Sequence, residues 1–310
     1  MDLLTTPAAL RQRLADWRSR GLRVGVVPTM GALHPGHLSL VQRARREVDR
    51  VVVSLFVNPL QFDNPAELRA YPRDRRGDLE RLRGVATDLC FAPRRRDLFP
   101  ASFATTVCVS RGTRLWEGAA RPGHFDGVAT VVARLLSLAG LCRAYFGEKD
   151  AQQLQLVRRL VLDLGLPAHV VACATIREAD GLPWSSRNRT LSSSERAAAA
   201  CLPRALAEVL WAHRRGEDHA DRLARRAAQV ISGEPLAVLD YAALVDPVSF
   251  EPVVRTAPGT RVILAARIGP VRLIDGARLS DRALLRRTRS WEVRPPARSR
   301  NRGRLPGWPR

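Results

Sequence analysis

Pro28-Thr29-Met30-Gly31-Ala32-Leu33-His34-Pro35-Gly36-His37 follows the β-rich apolar run at 23–27 and leads into a helix-like segment at 36–47. A strand that passes through a Gly/Pro loop into a helix is the ligand-binding corner of a parallel α/β sheet. Gly31 and Gly36 let the backbone approach a ligand closely. Pro35 and Gly36 open the helix, whose free N–H groups and dipole attract phosphate. His34 and His37 are three apart and can share one face. There an imidazole can donate to a polyphosphate, and its protonated form can stabilise charge building on a leaving group. Capping or packing histidines would show the same spacing. A metal site would need a nearby carboxylate or cysteine that the segment lacks.

Outward from this corner the chain alternates. A helix is expected over 7–20, and a continuous apolar strand over 51–57, as in a strand buried on both faces. Further helices are expected at 74–83, 124–139 and 149–163, and further strands at 88–91, 104–109, 144–147 and 168–172. Strand and helix in alternation predict a Rossmann-like parallel sheet covered on both sides. Near residues 177–188 the pattern becomes polar and loop-like. Two helices, 193–214 and 217–231, and three β-rich runs, 240–246, 261–267 and 271–274, then predict a smaller α+β domain. The expected organisation is therefore a Rossmann-like domain over 1–178, a lid domain over 179–282, and a basic tail without order over 283–310, rich in Arg, Pro and Gly.

Other segments carry polar groups to strand ends. Asn58 and Gln61, in Phe56-Val57-Asn58-Pro59-Leu60-Gln61-Phe62, suit hydrogen bonds to a hydroxy acid, although Asn-Pro is also an ordinary turn signal. His124, in Arg121-Pro122-Gly123-His124-Phe125-Asp126-Gly127-Val128, either faces a ligand or caps the helix it begins. Phe146-Gly147-Glu148-Lys149-Asp150, followed by Gln152 and Gln153, lies at another strand-to-helix junction. Of 51 basic residues only Lys149 is a lysine. A compact ammonium reaches into a tight polyphosphate site where a planar guanidinium does not fit. Asp150 can hold magnesium or ribose, or cap the helix. Trp184-Ser185-Ser186-Arg187-Asn188 reads either as a phosphate clamp on a loop or as a polar linker.

The first segment resembles the HxGH signature of nucleotidyltransferases related to class I aminoacyl-tRNA synthetases. With the later motifs, in this order, residues 20–280 resemble the pantothenate synthetase (pantoate–β-alanine ligase) family. The resemblance implies a Rossmann-like domain with a smaller lid, a homodimer, and ATP, pantoate and β-alanine as substrates, with Mg2+ entering as Mg-ATP. It further implies that Met30, Gly31, Ala32, Leu33, His34, Pro35, Gly36 and His37 line the ATP site. His37 would be the proton donor, and His34 and Lys149 would stabilise the triphosphate. Gly147, Glu148, Lys149, Asp150, Ile176, Trp184, Ser185, Ser186 and Arg187 would complete the nucleotide site. Gln61 and Gln153 would hold pantoate, with Gln61 also near β-alanine. No metal ligand is assigned: Gly77 stands where a carboxylate is expected after Tyr71-Pro72-Arg73, leaving Asp78. Pro183-Trp184 replace a small residue and a Leu or Met, and Ala174 stands where Pro is common.

Composition sets the alternatives. Hydrophobic residues make up 45% and charged residues 26% of the 310, which fits a soluble globular enzyme. No run is long enough to span a membrane, and the start lacks the basic-then-apolar pattern of a signal peptide, so a cytoplasmic enzyme is expected. Five widely spaced cysteines fit buried, reduced thiols. The formal charge of +21 invites a nucleic-acid partner, but residues 282–310 alone contribute +9, from ten Arg and one Glu. No aromatic–basic alternation offers a stacking platform, so no specific nucleic acid is expected. The competing readings are a different HxGH-type adenylyltransferase and an Arg-rich nucleic-acid-binding protein.

Overall fold

The computed structural model describes residues 1–288. The first part of the chain runs β1 (Asp2–Leu4), α1 (Pro7–Ser19), β2 (Val24–Thr29), α2 (Pro35–Glu47), β3 (Arg50–Leu55), α3 (Pro65–Ala70), α4 (Arg75–Gly84) and β4 (Leu89–Phe91). Next come α5 (Arg95–Leu98), α6 (Glu117–Ala120), α7 (His124–Ala139), β5 (Cys142–Gly147), α8 (Ala151–Asp163) and β6 (Ala168–Cys173). The last described elements are α9 (Ser193–Ala198), α10 (Cys201–Arg214), α11 (Ala220–Ser232), β7 (Ala237–Val245), β8 (Arg261–Ile268), β9 (Val271–Arg278) and α12 (Arg282–Thr288).

Six parallel strands form one sheet in the order β1-β4-β3-β2-β5-β6. Both its faces are covered. Leu14 and Trp17 of α1, Leu136 of α7 and Val157 of α8 pack on one side, and Val41 and Ala44 of α2 with Leu82 of α4 pack on the other. This explains why β2 and β3 read as unbroken apolar runs rather than alternating ones. The order reverses between β2 and β5, so the loops after these two strands face each other across the crevice where α/β sheets hold ligands. The α/β class and the Rossmann-like sheet agree with expectation. A second, antiparallel sheet, β7-β8-β9, buries its own core against α10 and α11.

Four details depart from the sequence reading. Residues 104–109 form no strand; they run along α7, where the Val107 N–H donates to Thr130 Oγ1 at 3.0 Å. The helix expected over 193–214 is two, because Pro203 has no N–H to continue a helix from α9 and is tolerated only in the first turn of α10. Cys108 is exposed, while Cys90, Cys142, Cys173 and Cys201 are buried. The tail expected to lack order begins with α12, whose Leu284 and Leu285 are buried; the rest of it lies outside the described residues.

Candidate active site

The carboxyl ends of β2 and β5 open into a cavity of about 810 Å³ roofed by residues of β9. His34 and His37 reach it from the start of α2. His34 is the residue before the helix, with extended backbone (φ −139°, ψ 170°), and Pro35 fixes the first turn. The His34 ring folds back over the helix start. A Cβ on Gly36 would lie 2.9 Å from His34 Cε1 and Nδ1, so the absence of a side chain there makes room for the imidazole. The two rings stack with centroids 4.0 Å apart and planes 29° from parallel. Both Nδ1 atoms are buried without a hydrogen-bond partner. Burial, then His37, Lys149 and Arg189, holds His34 down to about 3. Burial and then Lys149 hold His37 down to about 4. The rings are therefore neutral at pH 7, and a cationic imidazole requires a bound anion.

Lys149 lies across the sheet switch point on the turn after β5, with Asp150 Oδ1 at 3.6 Å. Both line the cavity, as does Gln153. Gln152, beside it on α8, also lines the cavity but is held by the chain: its Nε2 donates to the carbonyls of Gly112 (2.9 Å) and Leu115 (3.0 Å), and its Oε1 accepts from Glu117 N (3.1 Å).

Gln61 is fixed by its neighbours. Asn58 Nδ2 donates to the Gly127 carbonyl and to Gln61 Oε1, both at 3.0 Å. A backbone carbonyl only accepts, which sets the orientation of the Asn58 amide and then that of Gln61. Gln61 lines the cavity, and its Nε2 is the end of the amide that Asn58 does not hold. His124 Nδ1 holds the Gln61 carbonyl at 2.8 Å, so this histidine starts α7 and braces Gln61. A Cβ on Gly127 would meet Leu60 O at 2.1 Å, so only glycine lets α7 lie against this turn. Asn58 is buried, its amide committed to this bracing.

Ser185, Ser186 and Arg187 also line the cavity. Their loop rises from a short hairpin in which Arg177 bridges to Pro183 and Trp184 N donates to Ile176 O at 3.0 Å. Arg177 is buried and makes a bidentate pair with Asp275 of β9, at 2.7 and 2.8 Å. Across the cavity Arg187 pairs with Glu67, which also meets Arg121 at 3.3 Å, and Ser186 is bonded to Tyr71.

Met30, His34, His37, Asn58, Gln61, Lys149, Asp150, Gln153, Ser185, Ser186 and Arg187 thus converge on one cavity. The remaining expected residues stand behind its wall. Gly31 N is turned to Thr29 Oγ1, and the N–H groups of Ala32 and Leu33 are bound by Asp78. Glu148 Oε1 accepts from Arg278 at 2.7 Å, tying the Lys149 turn to the second sheet. Pro35, Gly36 and Gly147 shape turns, and Ile176 and Trp184 form the hairpin. Sequence reasoning missed Glu117, which lines the cavity and receives two bonds from Arg272 (2.8 and 2.7 Å) and one from Tyr241 (2.8 Å). Their separation along the chain, from 117 to 241 and 272, leaves no local pattern to detect.

A family model described as pantoate-beta-alanine ligase matches residues 2–278. The chain belongs to the pantoate–β-alanine ligase family. It is 50% identical over 273 residues to a pantothenate synthetase of Cereibacter sphaeroides, covering 88% of this chain and 98% of that one. A pantothenate synthetase structure from Thermus thermophilus superposes with TM-score 0.86 at 46% identity, covering 90% of this chain and 99% of that one. A Francisella tularensis pantoate–β-alanine ligase, complexed with β,γ ATP and β-alanine, superposes with TM-score 0.73 at 32% identity, over 90% and 98% of the two chains. Membership in the ligase family disfavours the readings as another adenylyltransferase or a nucleic-acid-binding protein. Among the described residues no helix is long and apolar enough to cross a membrane.

Proposed function

We propose that the chain condenses pantoate with β-alanine at this cavity in two steps. A pantoate carboxylate oxygen attacks the α-phosphorus of ATP and pyrophosphate leaves, giving pantoyl adenylate. The β-alanine amine, as the free base, then attacks the acyl carbon. The bond to the adenylate oxygen breaks, AMP departs, and the amine gives up a proton. Neither step needs a covalent enzyme intermediate, so the protein contributes positioning and charge stabilisation.

The observation that carries this reading is the placement of His34, His37 and Lys149 on opposite sides of the β2/β5 crevice, around one cavity. Lys149 supplies a fixed positive charge for the triphosphate. The approaching phosphates raise the pKa of both imidazoles, and His37 then donates a hydrogen bond or a proton toward the departing pyrophosphate. Gln61 Nε2 and Gln153 hold pantoate between them. Ser185, Ser186 and Arg187 close on the phosphates, and the β7-β8-β9 unit acts as their lid. The Met30–His37 loop and the turn from Gly147 to Asp150, with Ile176 and Trp184, shape the nucleotide site.

Mg2+ enters as part of the substrate. Both Asp78 oxygens are engaged by backbone N–H groups, Glu148 is paired with Arg278, and no group of three or more metal-binding side chains forms among the described residues. Asp78 and Glu148 therefore do not fit a resident metal. The family resemblance supports a homodimer, checked by light scattering at twice the chain mass, and the use of ATP supports a cytoplasmic setting. The functional test is AMP and pyrophosphate release with each substrate omitted in turn. Pyrophosphate release must require pantoate, and release independent of pantoate would refute the reading.

A further inference from the structure

We propose that Asp78 is a positioning residue for the reaction: its carboxylate fills an anion-binding nest in the 31–33 loop and so fixes the start of α2 that carries His34 and His37. The inference rests on the function proposed above.

Gly31 (φ +86°) and Ala32 (φ +51°) are consecutive left-handed residues, an unfavourable conformation for alanine. The N–H groups of Ala32 and Leu33 in this turn meet one carboxylate and together form a pocket for an anion. In a loop that precedes a helix start and faces a triphosphate site, that pocket would be read from sequence as a phosphate cradle. Here it is already filled. Asp78 Oδ2 accepts from Ala32 N and Oδ1 from Leu33 N, each at 2.8 Å. The carboxylate comes from the first turn of α4, where the helix dipole also favours it, and is 2% exposed. Arg81 Nη1 stands 3.4 Å from Oδ1. The third N–H of the loop, Gly31, goes to Thr29 Oγ1 at 3.3 Å, and Arg189 Nη2 donates to the Leu33 carbonyl at 3.2 Å. Every N–H from Gly31 to Leu33 is therefore consumed inside the protein. These three amides are not available to a nucleotide, and the strained Ala32 backbone is held through its own N–H by one carboxylate.

This assigns Asp78 a role different from that of a magnesium ligand, and the two separate experimentally. Asp78→Asn keeps the shape but turns an N–H donor toward one of the two loop amides. We expect kcat to fall about ten- to a hundred-fold, with the KM for pantoate less affected and the free Mg2+ needed for half-maximal rate unchanged. A variant with a raised Mg2+ requirement and a wild-type kcat at saturating Mg2+ would overturn the proposal. Should the variant fail to fold, hydrogen exchange on the wild-type enzyme without nucleotide decides. The Ala32 and Leu33 amides should exchange slowly, because their bonds are buried. Exchange at the rate of an open loop, slowing only when ATP is added, overturns it. The exchange result does not depend on turnover, so a chain that makes no AMP from pantoate would sink the functional reading and leave this test intact.

Discussion

His34 and His37 stack with ring centroids 4.0 Å apart, and the Nδ1 atom of each is buried with no partner. Two imidazoles this close cannot both be cationic without a counter-ion, and burial, then their neighbours, holds them at about 3 and about 4. A bound triphosphate supplies the missing negative charge. ATP binding near pH 6 should therefore take up protons from solution. Titration calorimetry in two buffers of different ionisation enthalpy should give binding heats that differ in the sense of proton uptake, and equal heats would argue against the arrangement.

The same depression has a consequence for the unliganded enzyme. Unfolded, both histidines titrate near the ordinary 6.5; folded, they titrate near 3 and 4. Between these values the unfolded chain binds more protons, so stability rises with pH. The contribution is fully present above pH 6.5 and is lost as pH falls through the window toward 4 and 3. Melting temperature should drop from pH 7 to pH 5, and drop less in His37→Gln. An identical pH slope in the variant would contradict the shift at His37.

The sequence showed the corner at 28–37, the parallel sheet and the lone lysine because each is a local signal: an apolar run, a Gly/Pro turn, an outlier in composition. The cavity side chains from Met30 to Arg187 were legible because the motif order carries a family pattern. Other features were not. Asp78 was noticed only as the carboxylate left beside Gly77, and its partners at 32 and 33 lie more than forty residues away. The strand β1 escaped because three residues at a sheet edge, paired only with β4, make too short a pattern. Residues 104–109 have strand-like composition, yet α7 offers them side-chain bonding and packing in place of a ladder. The hairpin bond from the Trp184 N–H to the Ile176 carbonyl has no local signal either.

Lys149 should resist conservative replacement. Its side chain is largely enclosed, and the charge is delivered through a narrow stem between Asp150 and the two histidines. Lys149→Ala should lower kcat about a hundred- to a thousand-fold with an unchanged melting temperature. Lys149→Arg should not restore it, because the guanidinium is wider and planar. Near wild-type turnover in the arginine variant would show that charge alone suffices.

Glu67 and Arg187 pair in the cavity wall, and the proposed closure of Arg187 on the phosphates requires this pair to part. Both side chains are partly exposed, so the pair is worth about 1 kcal/mol at most. Glu67→Gln should therefore lower the KM for ATP by up to about five-fold, while Arg187→Gln should raise it. The steady-state KM of the two variants reads the competition directly, and a KM unmoved by Glu67→Gln would mean that Arg187 does not leave its partner during turnover.

The helix α12 turns the start of the basic tail into part of the fold. Leu284 and Leu285 are buried against the second core, and Trp211 Nε1 donates to Thr288 Oγ1 at 3.0 Å. Burying the two leucine side chains ties the helix to that core, against the cost of ordering its seven residues. Ending the chain after Asp281 should therefore lower the melting temperature by a few degrees relative to ending it after Thr288. The lost contacts lie in the second core, and neither leucine lines the cavity, so the KM values should move less than the stability. Comparing the two truncations cancels whatever residues 289–310 contribute, and equal melting temperatures would show that α12 adds nothing to the core it covers.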